Sequence, residues 1–328
     1  MAHEVVAITG ASSGIGRAVV RRFAGPDVSI GLIARNREAL EVARREVEQA
    51  GGRALVLPVD VADADRVDAA AQAIEEALGP IDIWINDAMS TVFAYFWDVE
   101  PDEFRRTTEV TYLGSVWGMR AALKRMRERD RGTIVQVGSA MAYRGIPLQA
   151  PYCGAKHALQ GVFESLRTEL RNAGSNVHLT IVQLPGINTP QFLHARDKFE
   201  TRSMPVPPFY QPEVAAVAIH WAAHHRRREV YVGMPTVQTV WGNKFAPWLV
   251  ERFLAKTGVS SQLTDTKKDP DRQDNLFQAP PGDPGARGPY DEKAHPRSAQ
   301  LWATKHRRGV LGALTGAAAV GAAALAAR

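Results

Sequence analysis

Val5-Val-Ala-Ile-Thr-Gly-Ala-Ser-Ser-Gly-Ile-Gly16 reads as a buried β-strand that ends in a glycine-rich turn and opens directly into a helix. In that setting Gly10, Ser12, Ser13, Gly14, Ile15 and Gly16 bring main-chain N–H groups and the positive end of a helix dipole to one place, which suits a pyrophosphate. A glycine-rich turn alone is as often a tight connection. The strand before it and the helix after it favour the nucleotide reading.

Working outward, the chain to about Gly233 alternates short apolar runs with longer stretches of helical period. Candidate strands are Val5–Thr9, Ser29–Ala34, Ala54–Pro58, Ile81–Asn86, Thr133–Val137, Val177–Gln183 and Val230–Val232. Helices are expected over Arg37–Gln49, stopped by Gly51-Gly52, and over Gln149–Asn172, stopped by Gly174. The pattern predicts an α/β fold, a doubly wound (Rossmann) seven-stranded parallel sheet in a single domain with a C-terminal extension, with ligands at the carboxyl ends of the strands.

Composition agrees with one large core: 328 residues, 45% of them hydrophobic. The single cysteine, Cys153, excludes an internal disulfide and every multi-cysteine zinc pattern, so no metal is expected. The net charge of +5 is modest, and runs such as His224-His225-Arg226-Arg227-Arg228 read as solvated helix ends with no groove-reading motif beside them. No nucleic-acid partner is expected. The start of the chain lacks the pattern of a secretory signal, and a cytoplasmic setting is expected.

The domain is expected to span residues 1–258. Residues 259–305 are rich in Pro, Gly, Asp and Lys and read as a disordered linker. The tail, 306–328, contains an uncharged Ala/Gly-rich run of eighteen residues, Val310–Ala327, behind Lys305–Arg308. It just reaches the length of a bilayer span, but Ala and Gly favour insertion weakly, so a membrane contact through 310–327, a surface helix and a low-complexity tail all stay open.

The cofactor's other contacts follow from the strand ends. After the second strand a carboxylate would hold the adenosine ribose and repel a 2′-phosphate; Ala34-Arg35 stands there instead, which favours NADP(H) over NAD(H). Asp60-Val61 and Asn86-Asp87-Ala88 follow the third and fourth strands at the same edge, where Asp60 competes as a helix N-cap and Asn86 as a turn residue. Tyr152 lies thirteen residues beyond Ser139, with Lys156 four further on along the same helix face. An ammonium there favours the phenolate, and Ser139 can hydrogen-bond a substrate oxygen beside it, which is what carbonyl reduction by hydride requires.

With these residues in place the chain resembles a short-chain dehydrogenase/reductase of the single-domain type, matching Thr9-Gly10-x-x-x-Gly14-x-Gly16, Asp60, Asn86-x-Ala88, Ser139, Tyr152, Lys156 and Pro185-Gly186-Ile187-Asn188-Thr189. The resemblance covers roughly Val5 to Gly233. It implies that Tyr152 is the general acid/base, that Ser139 orients the carbonyl, and that Lys156 lowers the tyrosine pKa and grips the nicotinamide ribose. It also implies that Pro185, Gly186, Ile187 and Thr189 close over the nicotinamide, and that the protein is a homo-oligomer.

Two departures stand out. Asn86-Asp87-Ala88-Met89 replaces the family's Asn-Asn-Ala-Gly, so Met89 is expected to project towards the cofactor, and Thr111 replaces an asparagine that holds a water linking the lysine to solvent. Phe93, Tyr95, Phe96, Trp97, Met141, Tyr143, Ile146, Phe192 and Phe199 suggest a pocket for a small apolar or aromatic carbonyl or alcohol, against ordinary packing or a subunit contact. The resulting expectation is an NADP(H)-dependent oxidoreductase. The alternatives are a sugar-nucleotide enzyme of the same fold, which the glycine spacing disfavours, and a non-enzymatic or weakly active nucleotide-binding protein.

Overall fold

The computed structural model describes residues 3–269, 271–307 and 309. β1 (Glu4–Thr9) leads into α1 (Gly14–Phe23), followed by β2 (Val28–Ala34), α2 (Arg37–Gln49), β3 (Arg53–Pro58), α3 (Ala64–Leu78) and β4 (Ile83–Asn86). A short β5 (Val92–Phe93) precedes α4 (Pro101–Thr108), which passes through a π-helical turn, Glu109–Leu113, into α5 (Gly114–Met126). β6 (Thr133–Ser139), α6 (Ala150–Asn172) and β7 (His178–Leu184) follow, then α7 (Gln191–His194), β8 (Arg196–Asp197), β9 (Thr201–Ser203), α8 (Pro212–Ala223) and β10 (Glu229–Tyr231). The chain continues through α9 (Gly233–Phe245), α10 (Pro247–Thr257), β11 (Leu263–Lys267) and α11 (Ala299–Lys305).

Seven of these strands form one parallel sheet in the order β10-β7-β6-β4-β1-β2-β3. All seven expected strands are present, shifted by no more than two residues, the last at Glu229–Tyr231 rather than Val230–Val232. Their near-continuous Val, Ile and Leu runs follow from burial on both faces. One face packs Val6, Ile8, Ile30 and Leu32 against α1, α2 and α8. The other packs Val5, Ala7, Ile33 and Trp84 against α3, α5 and α6.

From β1 the chain winds outward to β2 and β3, then returns to β4 on the other side of β1. That reversal opens a crevice beyond the carboxyl ends of β1 and β4, which finish in register with Thr9 opposite Asn86.

The segment 259–305 corrects the expectation of a disordered linker. β11 pairs antiparallel with β9, Leu276 and Ala286 are buried, and α11 buries Leu301 in the main core. Its carbonyls and side chains bond to the domain, so order comes from widely spaced anchors and main-chain polar groups, neither of which composition reveals. The tail run 310–327 lies outside the described residues. Among the described residues no helix is long and apolar enough to cross a membrane. The aromatic residues after the last sheet strand lie on α9 and α10, where Phe245, Trp248 and Phe253 are exposed and α10 has no buried residue.

Beneath β4, the buried Trp84 indole donates to Asn86 Oδ1 at 2.8 Å, and Asn86 Nδ2 donates to the Ser115 carbonyl at 3.1 Å. α5 approaches closely enough that a Cβ on Gly118 would lie 2.1 Å from Asn86 Oδ1. Gly118→Ala should therefore destabilise the fold by about 2–3 kcal/mol through overpacking and loss of buried hydrogen bonds. Urea denaturation reads this directly; an unchanged midpoint would refute the close approach.

Candidate active site

The glycine turn is built by main-chain proximity. Gly10 and Gly14 adopt left-handed φ of 76° and 57°, and a Cβ on Gly16 would lie 2.2 Å from the Gly10 carbonyl oxygen. Thr9 ties the turn to the end of β4: its Oγ1 accepts the Asp87 and Ala88 N–H groups at 3.1 and 3.2 Å. In the first turn of α1, Arg17 N–H bonds to Ser13 O and Gly14 N–H to Gly285 O, whereas Ile15 N–H has no hydrogen-bond partner among the described residues. Ile15 lines a cavity of about 180 Å³ together with Gly10, Ser12, Ser13 and Gly14. A free donor at the positive end of a helix, beside a turn that a Cβ would fill, fits a pyrophosphate.

At the far end of that cavity stand Arg35, Asp60 and Val61, with Ala88 and Met89 along its wall. Burial lowers the Arg35 guanidinium from its ordinary value. Asp60 is not the N-cap of α3; Asp63 fills that role. Burial raises the Asp60 carboxyl, but the hydrogen bond and charge of Arg106 outweigh it and hold Asp60 below the usual carboxylate range.

A second cavity of about 120 Å³ adjoins the first, sharing Ile15, Asp87, Met89, Thr189 and Gln191 with it. It is lined by Ser139, Tyr152 and Lys156 and roofed by Pro185, Gly186, Ile187 and Thr189. Ser139 sits there because β6 ends at it; its Oγ also accepts Met141 N–H at 3.2 Å, capping the following turn. Pro151 in the first turn of α6 places Tyr152 and Lys156 on one inward face.

Burial controls the titration of this cluster. The Lys156 ammonium donates to the Val137 carbonyl at 2.9 Å and lies 5.4 Å from the Tyr152 ring centre. Burial lowers Lys156 to about 8, with the Asp87 charge pulling the other way. Tyr152 is pushed up by burial, against a hydrogen bond with Ser139. The lowering of the phenol by the Lys156 ammonium that the resemblance implies is therefore not seen here; burial governs it. Asp87 is raised to about 8 by burial, opposed by Lys156 and the Gly16 N–H.

The sequence-predicted residues separate into groups. Ser139, Tyr152, Lys156, Gly10, Ser12, Ser13, Gly14, Ile15, Arg35, Asp60, Val61, Ala88, Pro185, Gly186, Ile187 and Thr189 line the joined cavities, whereas Gly16 does not and instead packs against the Gly10 carbonyl. Asn86 does not: its side chain lies under β4. Thr111 also stays out, since its buried Oγ1 accepts Ser90 N–H at 3.0 Å and donates to Ser90 O at 2.9 Å, within the π-helical turn. Of the nine aromatic and apolar candidates for the substrate pocket, only Met141 and Phe192 line the second cavity. Phe93 is in the core, Tyr143 bonds to Glu229, and Phe96 and Trp97 are exposed.

Sequence reasoning missed Arg106, which lies on α4 far from any motif, and Asn275, Ala279, Pro280 and Pro284 of the supposed linker; it named Asp87 at the strand edge without its carboxyl's approach to Lys156.

The comparisons agree with this geometry. A family model for short chain dehydrogenases matches residues 4–199. An uncharacterized oxidoreductase of Bacillus subtilis, YxnA, is 32% identical over 84% of this chain and 78% of its own length. A 3-dehydrosphinganine reductase of Danio rerio is 36% identical over 58% of each chain. A short-chain dehydrogenase from Streptomyces avermitilis superposes with a TM-score of 0.64 at 25% identity, over 80% of this chain and 98% of its own. A Burkholderia phymatum family member solved in complex with NAD gives 0.67 at 22% identity, over 76% and 95%. The chain belongs to the short-chain dehydrogenase/reductase family. It is an NAD(P)-dependent oxidoreductase acting on CH–OH groups.

The buried carboxyl yields a stability prediction. Because the folded-state pKa of Asp87 is raised above the ordinary value of 3.8 to about 8, the native state holds the extra proton and stability falls as pH rises between those values. Asp87→Asn keeps an acceptor for Gly16 N–H while removing the charge. It should gain about 1–3 kcal/mol relative to the unsubstituted protein at pH 8.5, and the gain should vanish near pH 4. Denaturant titrations at both pH values decide it; a pH-independent difference would refute the buried charge.

Proposed function

We propose that this protein is an NADP(H)-dependent oxidoreductase that interconverts an apolar carbonyl and its alcohol, with Tyr152 as general acid/base and Ser139 and Lys156 in support. The observation that carries the reading is that the Ser139 and Tyr152 hydroxyls and the Lys156 ammonium line one cavity, continuous with the glycine-turn cleft at the carboxyl edge of the sheet. The bound dinucleotide would supply the hydride, which adds to the carbonyl carbon in the reducing direction.

As the carbon accepts that electron pair, the C=O π pair moves onto oxygen, and the oxygen takes the proton of the Tyr152 hydroxyl. Ser139 Oγ–H donates to the same oxygen as its charge grows. The phenolate left behind is stabilised by the Lys156 ammonium, and with its pKa brought down to about 8 by burial, Lys156 can also return a proton to Tyr152. Oxidation of the alcohol runs the same transfers in reverse.

The substrate side of the cavity is formed by Met89, Met141, Phe192, Pro205 and Val206, which supports an apolar substrate. The name of the relative 3-dehydrosphinganine reductase agrees with reduction of a carbonyl. The NADP(H) preference rests on Ala34-Arg35 at the end of β2, where no carboxylate follows the strand and the guanidinium lines the cleft, its Nε–H not engaged by the carbonyls of residues 275–277 that hold its other two nitrogens. A homo-oligomer is supported by an open groove between α5 and α6, with apolar Val116, Met119, Leu123 and Leu166 along it.

Tyr152→Phe should lower turnover of ketones by about 10²–10⁴-fold while NADPH affinity stays near its original value. Undiminished turnover would remove Tyr152 from the chemistry. Arg35→Asp should shift the NADP(H)/NAD(H) affinity ratio towards NAD(H) by about tenfold or more, read by fluorescence titration of both cofactors. A constant ratio would dismiss the 2′-phosphate role.

A further inference from the structure

We propose that residues 275–291 belong to the dinucleotide site, as a clasp that closes over the adenosine and phosphate half of the cofactor and governs its release. This rests on the nucleotide reading given above. The segment bonds in sequence along the rim of the cleft. The carbonyls of Asn275, Leu276 and Phe277 accept from the Arg35 guanidinium, the last at 3.1 Å. Asn36 Nδ2, at the start of α2, donates to the carbonyls of Pro280 and Gly282 at 2.8 and 2.9 Å. Asp283 pairs with the fully buried Arg17 of α1 at 3.2 Å. Gly285 O then accepts Gly14 N–H at 3.0 Å, and on the opposite bank Gly288 N–H donates to Asn188 O at 3.1 Å. The segment thus spans the crevice from the end of β2 to the loop after β7.

What it leaves open distinguishes a clasp from a plug. Ala279, Pro280 and Pro284 face the cavity across from Ser12, Ser13 and Ile15. Among the described residues no main-chain group bonds to the Ile15 N–H and the Ser13 hydroxyl makes no capping bond to α1, so the rim contacts leave these donors to the cleft. The prolines add apolar wall without bringing an N–H of their own, and their fixed φ lowers the entropy lost on ordering the segment. Leu276 and Ala286, both buried, hold it at two points.

Gly282 and Gly285 adopt left-handed φ of 77° and 68°, and a Cβ at either position would meet nothing within 4 Å. Combining Gly282→Val with Gly285→Val therefore strains the clasp without striking the domain. Asp283→Ala is a milder second variant, since Arg17 keeps its pair with Glu46. Gly174→Val is the control: its φ of 64° and open surroundings are equivalent, but it lies at the carboxyl end of α6. The full-length proteins are loaded with NADPH and chased with excess NADP⁺ in a stopped-flow fluorimeter. The double variant should release NADPH about tenfold faster or more, Asp283→Ala should release it faster by a smaller factor, and Gly174→Val should match the unsubstituted protein. Unchanged release in both clasp variants with NADPH still bound would overturn the proposal, as would faster entry with tighter binding, the behaviour of a plug. Failure of the unsubstituted protein to hold NADPH would overturn the nucleotide reading, and the clasp with it.

Discussion

The close approach of Gly16 to the Gly10 carbonyl is the constraint on which the rest of this molecule depends. With 2.2 Å available where a Cβ would stand, only a glycine lets α1 begin at the end of β1. That contact aims the first turn of α1 at the crevice left by the reversal between β1 and β4. Thr9 then fastens the end of β4 to the same point through the Asp87 and Ala88 N–H groups. One short turn thereby sets the position of the N–H groups at the start of α1, the wall formed by Ala88 and Met89, and the carboxyl that faces Lys156.

From this point the site is organised by burial more than by explicit ion pairs. Lys156, Asp87 and Tyr152 share a small enclosed volume, and desolvation moves each of them towards its uncharged form. A lysine and an aspartic acid both near 8 are poised to change protonation within the range in which an oxidoreductase works. Where the resemblance expects a water-holding asparagine stands Thr111, whose hydroxyl serves the Ser90 main chain.

Second only to the glycine turn is the contribution of the chain beyond β11. Its Pro- and Gly-rich composition cannot build a core of its own, yet it is ordered against Arg35 and Asn36, which line the cleft, and against the buried Arg17 and Asn188. The domain supplies the fixed partners, and the segment supplies main-chain carbonyls, the Asp283 carboxylate and the Gly288 N–H. Low hydrophobicity sets what a segment can do alone, not what it can do beside a prepared surface.

Strand periodicity, the glycine spacing and the order of Ser139, Tyr152 and Lys156 were legible in the residues themselves, because each depends on local geometry: alternation or burial in a strand, φ in a turn, one face of a helix. The sheet order, the joined cavities and the place of Ser139, Tyr152 and Lys156 in them follow from those local rules once the strands wind right-handedly. The destination of the remaining side chains was not legible. Asn86 faces Trp84 and Thr111 faces Ser90, while Arg106 reaches Asp60 across forty-six residues, and residues 275–284 cross to the cleft at the glycine turn. Such contacts join residues distant in sequence, through groups that most polar residues could supply. Only the packed structure selects among them.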